Sequence, residues 1–176
     1  FENYGIFIDE RGEISGEYLK QHPVPFGEYI PFRQYLDWIP PLSLVPRDMV
    51  RGTQQQVFTT NKDEIKISPV ISFEGSFDRY IRRSVVQGAE VVVILTNQAS
   101  YGESGMSDQF ILMSRANAIS NNRDIAHAAI TGKSAFISGI DGDIYSSTGL
   151  FTDAVLTDEI KTSNKLTLYT RWGNYL

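Results

Sequence analysis

The spacing of apolar residues divides the chain into strands and helices. Apolar and β-branched runs, separated by turn-forming residues, predict two β-hairpins. Their strands cover residues 4–8 with 13–19 and residues 57–60 with 65–71. The continuous apolar run at residues 89–96 is typical of a strand that is buried on both faces of a sheet. Two further strands are predicted at residues 125–130 and 134–140, and residues 141–143 are predicted to form a tight turn.

Helical periodicity predicts three helices between these strands. They cover residues 32–39, 76–87 and 107–121. Ser76 is expected to cap the second helix, and Gly88 is expected to end it. Residues 21–53 hold six of the seven prolines and are expected to form a long irregular arm. Because strands and helices alternate along the chain, the pattern predicts a single α/β domain.

Composition and charge limit the classes of protein to which the chain can belong. With 176 residues, of which 41% are hydrophobic and 21% charged, the chain is long enough to bury one core. No run approaches the roughly 20 apolar residues of a membrane span. The net charge of −5, with acidic and basic residues interspersed, argues against a nucleic-acid partner. The chain has no cysteine and only two histidines, His22 and His127, so neither a disulfide nor a histidine-based metal site or triad is expected.

Two segments carry the candidate chemistry, residues 20–31 and residues 69–74. Ser72 follows a predicted strand and precedes a predicted helix, so its hydroxyl is expected in a turn at the carboxyl end of the strand, where α/β proteins place reactive groups. Glu28 lies among aromatic residues, where a carboxylate usually needs a partner. The local residues alone leave open that Ser72 only caps the turn, and that Lys20 and Glu28 lie on the surface. They also leave open that Glu74 only complements the dipole of the following helix.

The two segments together resemble the active-site signature of apolipoprotein N-acyltransferases, a membrane-enzyme branch of the nitrilase (carbon–nitrogen hydrolase) superfamily. That family reads Lys-x-x-Leu-Val-Pro-Phe-Gly-Glu-Tyr in the first segment and Ile-Cys-Tyr-Glu in the second, so Ser72 takes the place of the nucleophilic cysteine. Weaker matches follow in the family's order at residues 96–102, 129–135 and 166–174. The resemblance therefore covers nearly the whole chain, and it implies the nitrilase-type α-β-β-α sandwich.

The resemblance also implies a reaction and its residues. An acyl chain would move from a phospholipid donor to the N-terminal amine of a lipoprotein acceptor, without a cofactor or metal, on the outer face of the bacterial cytoplasmic membrane. Ser72 marks the nucleophile position, Lys20 would stabilise the oxyanion, and Glu28 and Glu74 would support the site. Substrate contacts are expected from Phe73, Tyr101, Phe26 and Trp38. The family's catalytic Glu and its membrane helices lie outside the matching region, so the chain is expected to be an excerpt of a longer polypeptide.

Serine at the nucleophile position leaves several hypotheses. A hydroxyl ionises far less readily than a thiol, so an engineered change or a natural pseudoenzyme would both give a nearly silent site, whereas a Ser–Lys pair with Lys20 would retain some activity. Further departures from the family at Phe73, Ser100 and Lys133 favour natural divergence. The rival functions are a non-catalytic lipid- or lipoprotein-binding module and, less favoured, a soluble amidase-type hydrolase.

The sequence leaves two roles open for the arm. Residues 26–45 are rich in large apolar side chains, which suits either contact with a membrane and acyl chains or packing of a loop onto the core. In the family, such arms gate a lipid portal, and this favours the lipid role.

Overall fold

Eight strands and four α-helices form the regular structure of residues 1–36 and 38–174, which are the residues described by the computed structural model. The strands are β1 (Tyr4–Ile8), β2 (Ile14–Leu19), β3 (Phe58–Thr59), β4 (Lys66–Ile71), β5 (Val91–Asn97), β6 (Ile125–Ile130), β7 (Ala135–Ile137) and β8 (Ile144–Ser147). The helices are α1 (Arg33–Leu36), α2 (Asp78–Val86), α3 (Met106–Asn121) and α4 (Leu168–Trp172).

Strand pairing produces one small sheet and one large one. β1 and β2 form an antiparallel hairpin, and the other six strands form a mixed sheet in the order β3-β4-β5-β6-β7-β8. The central strands β4, β5 and β6 are parallel, whereas the outer strands pair antiparallel. Parallel neighbours need a crossover connection, and α2 and α3 supply the two crossovers of this sheet. This arrangement brings the carboxyl ends of β4, β5 and β6 to one edge.

The large sheet is covered differently on its two faces. Val70, Val92 and Ile94 contribute to a core with apolar residues of α2 and α3, including Ile81 and Ile111. Full burial of one such side chain is worth about 1.5–3 kcal/mol. On the opposite face, the β1–β2 hairpin lies against the sheet. A Cβ placed on Gly5 would lie within 3.8 Å of the side chains of Pro69, Ile71 and Leu95, and Phe7 stacks on Phe58 at 5.2 Å. Helices, sheet and hairpin thus form three successive layers.

The α/β class and the predicted order of elements are confirmed, with three local differences. Helix α2, predicted at residues 76–87, begins at Asp78. Phe77 occupies its N-cap without a side-chain capping bond, so the prediction that Ser76 caps it is wrong. Residues 72–76 instead form a 3₁₀ turn. The strand predicted at 134–140 ends at Ile137, because Ser138 donates its N–H to Asp143 across the tight turn. β8 and α4 were not predicted.

The predicted irregular arm is present, and part of its apolar material faces outwards. Ile30, Val45 and Met49 are buried, and Gly52 donates its N–H to the Lys20 carbonyl, which fixes the end of the arm to β2. Other large side chains are 57–85% exposed, namely Phe26, Phe32, Tyr35, Trp38 and Leu44. The helix predicted at 32–39 is reduced to α1, and residue 37 lies outside the described residues. Within residues 1–36 and 38–174, the helices are all too short or too polar to cross a membrane.

Candidate functional site

Ser72 lies on a strained turn directly after β4. Its φ of 54° is left-handed, which is uncommon for a residue with a side chain and costs roughly 1–2 kcal/mol. The strained residue opens the 3₁₀ turn Ser72–Ser76, at the edge where the parallel strands end. Backbone strain of this kind persists only where surrounding contacts enforce it. The contacts around Glu74 do so here.

The carboxylate of Glu74 connects the serine turn to the end of β2. This side chain is fully buried. One oxygen accepts the backbone N–H groups of Gln21 and, at 2.9 Å, of His22. The other accepts the Tyr18 hydroxyl at 2.8 Å and the Ile71 N–H at 2.9 Å. Burial raises the pKa of Glu74, and these donated bonds oppose the rise. The residue is therefore a tie between the Ser72 turn and the segment that carries Lys20.

Lys20 and Glu28 form an ion pair beside this tie. The Lys20 side chain is fully buried, and its Nζ donates to both carboxylate oxygens of Glu28 at 2.7 Å. Glu28 also accepts the Val24 N–H at 2.7 Å, which holds the loop of the first motif around the lysine. Its side chain is 19% exposed, so the pair has one solvent-facing end. A buried ammonium held in this way is an oriented positive charge, and it directly precedes the Gln21–His22 backbone that Glu74 ties to the Ser72 turn.

An open cavity of about 740 Å³ has both Glu28 and Ser72 in its lining. Glu28, Ile71 and Ser72 line one part of it, and the apolar residues Leu95, Ala128 and Ile130 line another. This volume lies within the usual range of roughly 300–1,000 Å³ for small-molecule sites. The cavity thus presents the Ser72 hydroxyl and the Lys20-bound carboxylate of Glu28 beside an apolar surface from β5 and β6.

Aromatic rings and arginines lie on the other side of the serine turn. His22 stacks on Phe73 at 5.6 Å and meets the edge of Phe77 at 4.7 Å. Arg79 of α2 approaches the His22 Nδ1 to 3.2 Å and covers the Phe77 ring at 4.8 Å. Burial, followed by the positive charge of Arg79, lowers the pKa of His22. His22 is therefore favoured as a neutral ring.

Sequence similarity to known proteins identifies the family of the chain. Residues 1–165 match the family model described as Carbon-nitrogen hydrolase. The chain belongs to the carbon–nitrogen hydrolase family. It is similar to apolipoprotein N-acyltransferases, with 33% identity over 164 residues in the protein of Haemophilus ducreyi and 33% over 172 residues in that of Geobacter metallireducens. These matches cover 92% and 98% of the chain but 32% of each relative, so the chain spans about a third of their length.

Solved structures of this superfamily share the fold. An amidase from Nesterenkonia sp. superposes with a TM-score of 0.62 at 19% identity, over 84% of this chain and 51% of that one. A cysteine-to-serine mutant of the amidase from Nesterenkonia sp. AN1, described as belonging to the nitrilase superfamily, gives 0.61 at 20% identity over the same shares. At these identities the similarity establishes the fold, and the predicted nitrilase-superfamily fold is confirmed.

The carbon–nitrogen hydrolase domain brings four of the predicted site residues together. Ser72 and Glu28 line one cavity, Lys20 is bonded to Glu28, and Glu74 ties the two motifs together. The four residues proposed for substrate contact are dispersed. Phe73 packs on His22, and Tyr101 packs on Phe110 at 5.8 Å, while Phe26 and Trp38 lie exposed on the arm. Their roles stay predictions.

Sequence reasoning missed the polar residues that complete the site. Tyr18 and Gln55 are buried, and the Gln21 side chain joins them by donating to Tyr18 at 3.1 Å and to Gln55 at 2.9 Å. Tyr18 could have been inferred from the alternation along β2, since it is two residues before Lys20 and shares its face. Gln55 gives no such signal, because it lies in irregular chain and its burial depends on contacts with Ser68 and Pro69 of β4.

Proposed function

We propose that this carbon–nitrogen hydrolase domain is an apolipoprotein N-acyltransferase-like domain whose activity is strongly reduced by serine at position 72. Its reaction class is the transfer of an acyl chain from a membrane phospholipid to the N-terminal amine of a lipoprotein, on the outer face of the bacterial cytoplasmic membrane. The observation that carries the proposal is the shared cavity, in which Ser72 on its strained turn faces the same space as the Lys20-bound Glu28. The names of the relatives give the acceptor class, and the family resemblance implies the phospholipid donor.

Each step of the proposed transfer uses a group at this site. The Ser72 Oγ would attack the ester carbonyl carbon of the donor and lose its proton to a base. The Lys20 ammonium would stabilise the negative oxygen that forms. The ester bond would then break, and the departing lysophospholipid oxygen would take up a proton. In the second half, the lipoprotein amine would attack the acyl-Ser72 carbonyl and release the serine hydroxyl. The family resemblance assigns the role of the base to a glutamate outside the region of resemblance.

Serine in place of cysteine slows these reaction steps, because the attacking atom is oxygen and not sulfur. A thiol is partly ionised near neutral pH, whereas a serine hydroxyl needs strong activation by a neighbouring base. Removing a member of a catalytic triad in other enzymes costs roughly 10⁴–10⁶-fold in rate, and a comparable loss is expected here. Natural divergence is the favoured origin, since Phe73, Ser100 and Lys133 also depart from the family pattern.

The second candidate function is a non-catalytic module that binds lipid or lipoprotein. The exposed apolar side chains of the arm favour it, because they suit a lipid surface whether or not Ser72 reacts. A soluble amidase-type hydrolase is less favoured. The structural neighbours are amidases, but the Val-Pro-Phe-Gly-Glu-Tyr motif and the apolar arm have their counterpart in the acyltransferases.

Intact-mass spectrometry of the full-length protein after incubation with phospholipid separates these functions. The Ser72→Cys variant is expected to gain the mass of one acyl chain, while the unaltered protein gains little and Ser72→Ala gains none. Ser100→Cys is the matched control, because it places a thiol in the same cavity away from the strained turn. If Ser72→Cys stays unmodified, or if Ser100→Cys is acylated equally, acyl transfer at this turn is contradicted and the binding function is favoured.

A further inference from the structure

Three exposed arginines surround the aromatic side of the serine turn without an acidic partner. Arg79 and Arg83 are one helical turn apart on α2, and Arg51 lies at the end of the arm. Among the described residues, no carboxylate forms an ion pair with any of the three. Two like charges at this helical spacing repel each other, so the arrangement costs stability unless an anion is bound.

Five other arginines in the described chain have acceptors for their guanidinium groups. Arg11 and Arg33 bond to carboxylates, and Arg82, Arg115 and Arg123 donate to backbone carbonyl oxygens. Arg47 and Arg171 form no side-chain hydrogen bond among the described residues, and no aromatic ring face lies under either of them. The three around the turn lie over ring faces, and Arg79 also donates to the Tyr80 hydroxyl at 3.3 Å. Arg79 and Arg83 are 4.9 and 6.0 Å from the Tyr80 ring centroid, and Arg51 is 4.6 Å from that of Tyr29. Ring faces fix the orientation of a guanidinium and leave its N–H groups available as donors.

His22 adds a fourth donor to this group. Arg79 can only donate, so the His22 Nδ1 that it approaches must accept, and the proton of the neutral ring then lies on Nε2. Arg51 and Arg79 both act electrostatically on His22, so both guanidinium groups lie within range of the ring. Donors from the two ends of the arm and from α2 therefore lie in one region of the surface.

This region adjoins the reactive position. Phe73, the neighbour of Ser72, stacks on His22, and the Glu74 carboxylate holds the backbone N–H groups of both His22 and Ile71. Arg79 and Arg83 thus lie on the α2 side of the turn, Arg51 lines a neighbouring pocket with Glu17 and Leu19 of β2, and the apolar part of the cavity lies on the sheet side. An amphipathic ligand could place an anionic group on the first side and an acyl chain on the second.

We propose that Arg51, Arg79, Arg83 and His22 bind the phosphodiester of the donor phospholipid head group. The proposal rests on the proposed acyl-transfer function and adds the requirement that the donor carries a phosphate. Planar guanidinium groups match phosphate oxygens in paired hydrogen bonds, so arginine is well suited to this role. A lipid with the same chains and no phosphate would bind through the apolar surface alone.

The test measures lipid binding by the full-length protein in a phosphate-free non-ionic detergent, using isothermal titration calorimetry. The probes are dihexanoyl phosphatidylglycerol, dihexanoylglycerol with the same chains, and inorganic phosphate. Arg79→Gln is expected to weaken phosphatidylglycerol binding about tenfold, and to leave dihexanoylglycerol binding unchanged. Arg79→Lys should recover only part of the loss, since an ammonium lacks the paired donors.

Control variants keep the test decisive. Arg51→Gln and Arg83→Gln also remove one positive charge each. Their side chains make no hydrogen bond within the described residues, so weaker lipid binding by these variants does not reflect a disturbed His22 stack. Lys62→Gln removes one positive charge from the turn at the opposite end of β4 and should change affinity less than twofold. Unchanged phosphatidylglycerol binding in all three arginine variants overturns the proposal. So does binding of inorganic phosphate as tight as that of the lipid, since this would identify a free-phosphate site.

Failure of this proposal and failure of acyl transfer give different results. Lipid binding is measured without turnover. If the Ser72→Cys protein is not acylated but its lipid affinity still depends on Arg79, the phosphate site is supported and the transferase function is contradicted. Conversely, acylation of Ser72→Cys at the same rate by phosphatidylglycerol and by dihexanoylglycerol would retain the transferase function and contradict the phosphate site.

Discussion

Replacing Glu74 by glutamine tests whether this carboxylate ties the two motifs together. The change preserves shape but turns one oxygen into an NH₂ group, which cannot accept a hydrogen bond. If the retained oxygen still accepts the backbone N–H groups of Gln21 and His22, the new NH₂ group faces the Tyr18 hydroxyl and the Ile71 N–H. The Tyr18 hydroxyl can rotate to accept from the amide, but the Ile71 N–H remains a donor without an acceptor.

The cost of that orphaned donor sets the expected magnitude. A buried donor left unsatisfied costs about 1–3 kcal/mol. For a chain of 176 residues, each kcal/mol corresponds to roughly 2–4 °C, so Glu74→Gln should lower the unfolding temperature by about 2–12 °C. Thermal unfolding followed by circular dichroism measures the difference. Glu159→Gln makes the same chemical change at an exposed position and should shift the midpoint by less than about 2 °C.

The pH dependence gives a second check with a definite sign. Burial raises the pKa of folded Glu74 above its ordinary value of 4.5, so between 4.5 and the raised pKa the folded state binds the proton more tightly than the unfolded state. The stability that Glu74 contributes therefore falls as pH rises through this window, by at most about 1.4 kcal/mol per pH unit, and the glutamine variant lacks this slope. A glutamine variant as stable as its parent at every pH would refute the tie.

Three further changes have expected outcomes. Lys20→Met should destabilise the fold by about 3–5 kcal/mol in urea unfolding, because it leaves Glu28 without its cation. Adding Glu28→Gln should recover most of the lost stability, and the absence of recovery would contradict the ion pair. Gly52→Ala should cost about 1–3 kcal/mol, since the new methyl group would overlap the Leu19 carbonyl, whereas Gly105→Ala meets open space and serves as its control. Ser72→Ala should change stability by less than about 1 kcal/mol while removing any acyl adduct, since the Ser72 hydroxyl makes no hydrogen bond within the described residues.

The sequence was sufficient for those parts of the fold that local pattern determines. β6 was predicted with its exact limits, and β5 and α3 were predicted to within two residues, because long apolar periods identify buried elements. Ser76 was mistaken for a helix cap because the Ser72–Ser76 turn is shaped by the distant partners of Glu74, namely Tyr18, Gln21 and His22. Such long-range bonds leave no local periodic signal.

The same distinction applies to the site. The motif placed Lys20, Glu28, Ser72 and Glu74 in one site, and the fold brings these four together. The uncompensated arginines were not foreseen, because a charge along a sequence gives no indication of whether a carboxylate will lie beside it in the fold. Only the packing of the arm against α2 shows that the three arginines share a surface with His22.

The local costs of this site indicate how it is built. A buried ion pair such as Lys20–Glu28 is a weak stabiliser compared with well-packed apolar residues, and a left-handed serine adds strain. The fully buried Glu74 also carries the cost of desolvation. A turn selected only for stability would have none of these features, whereas a site that must hold a reactive atom and a buried ion pair in fixed positions requires them. Ser72 changes the identity of the reactive atom and leaves these supporting contacts in place, so one substitution to cysteine is expected to be sufficient to reveal the chemistry.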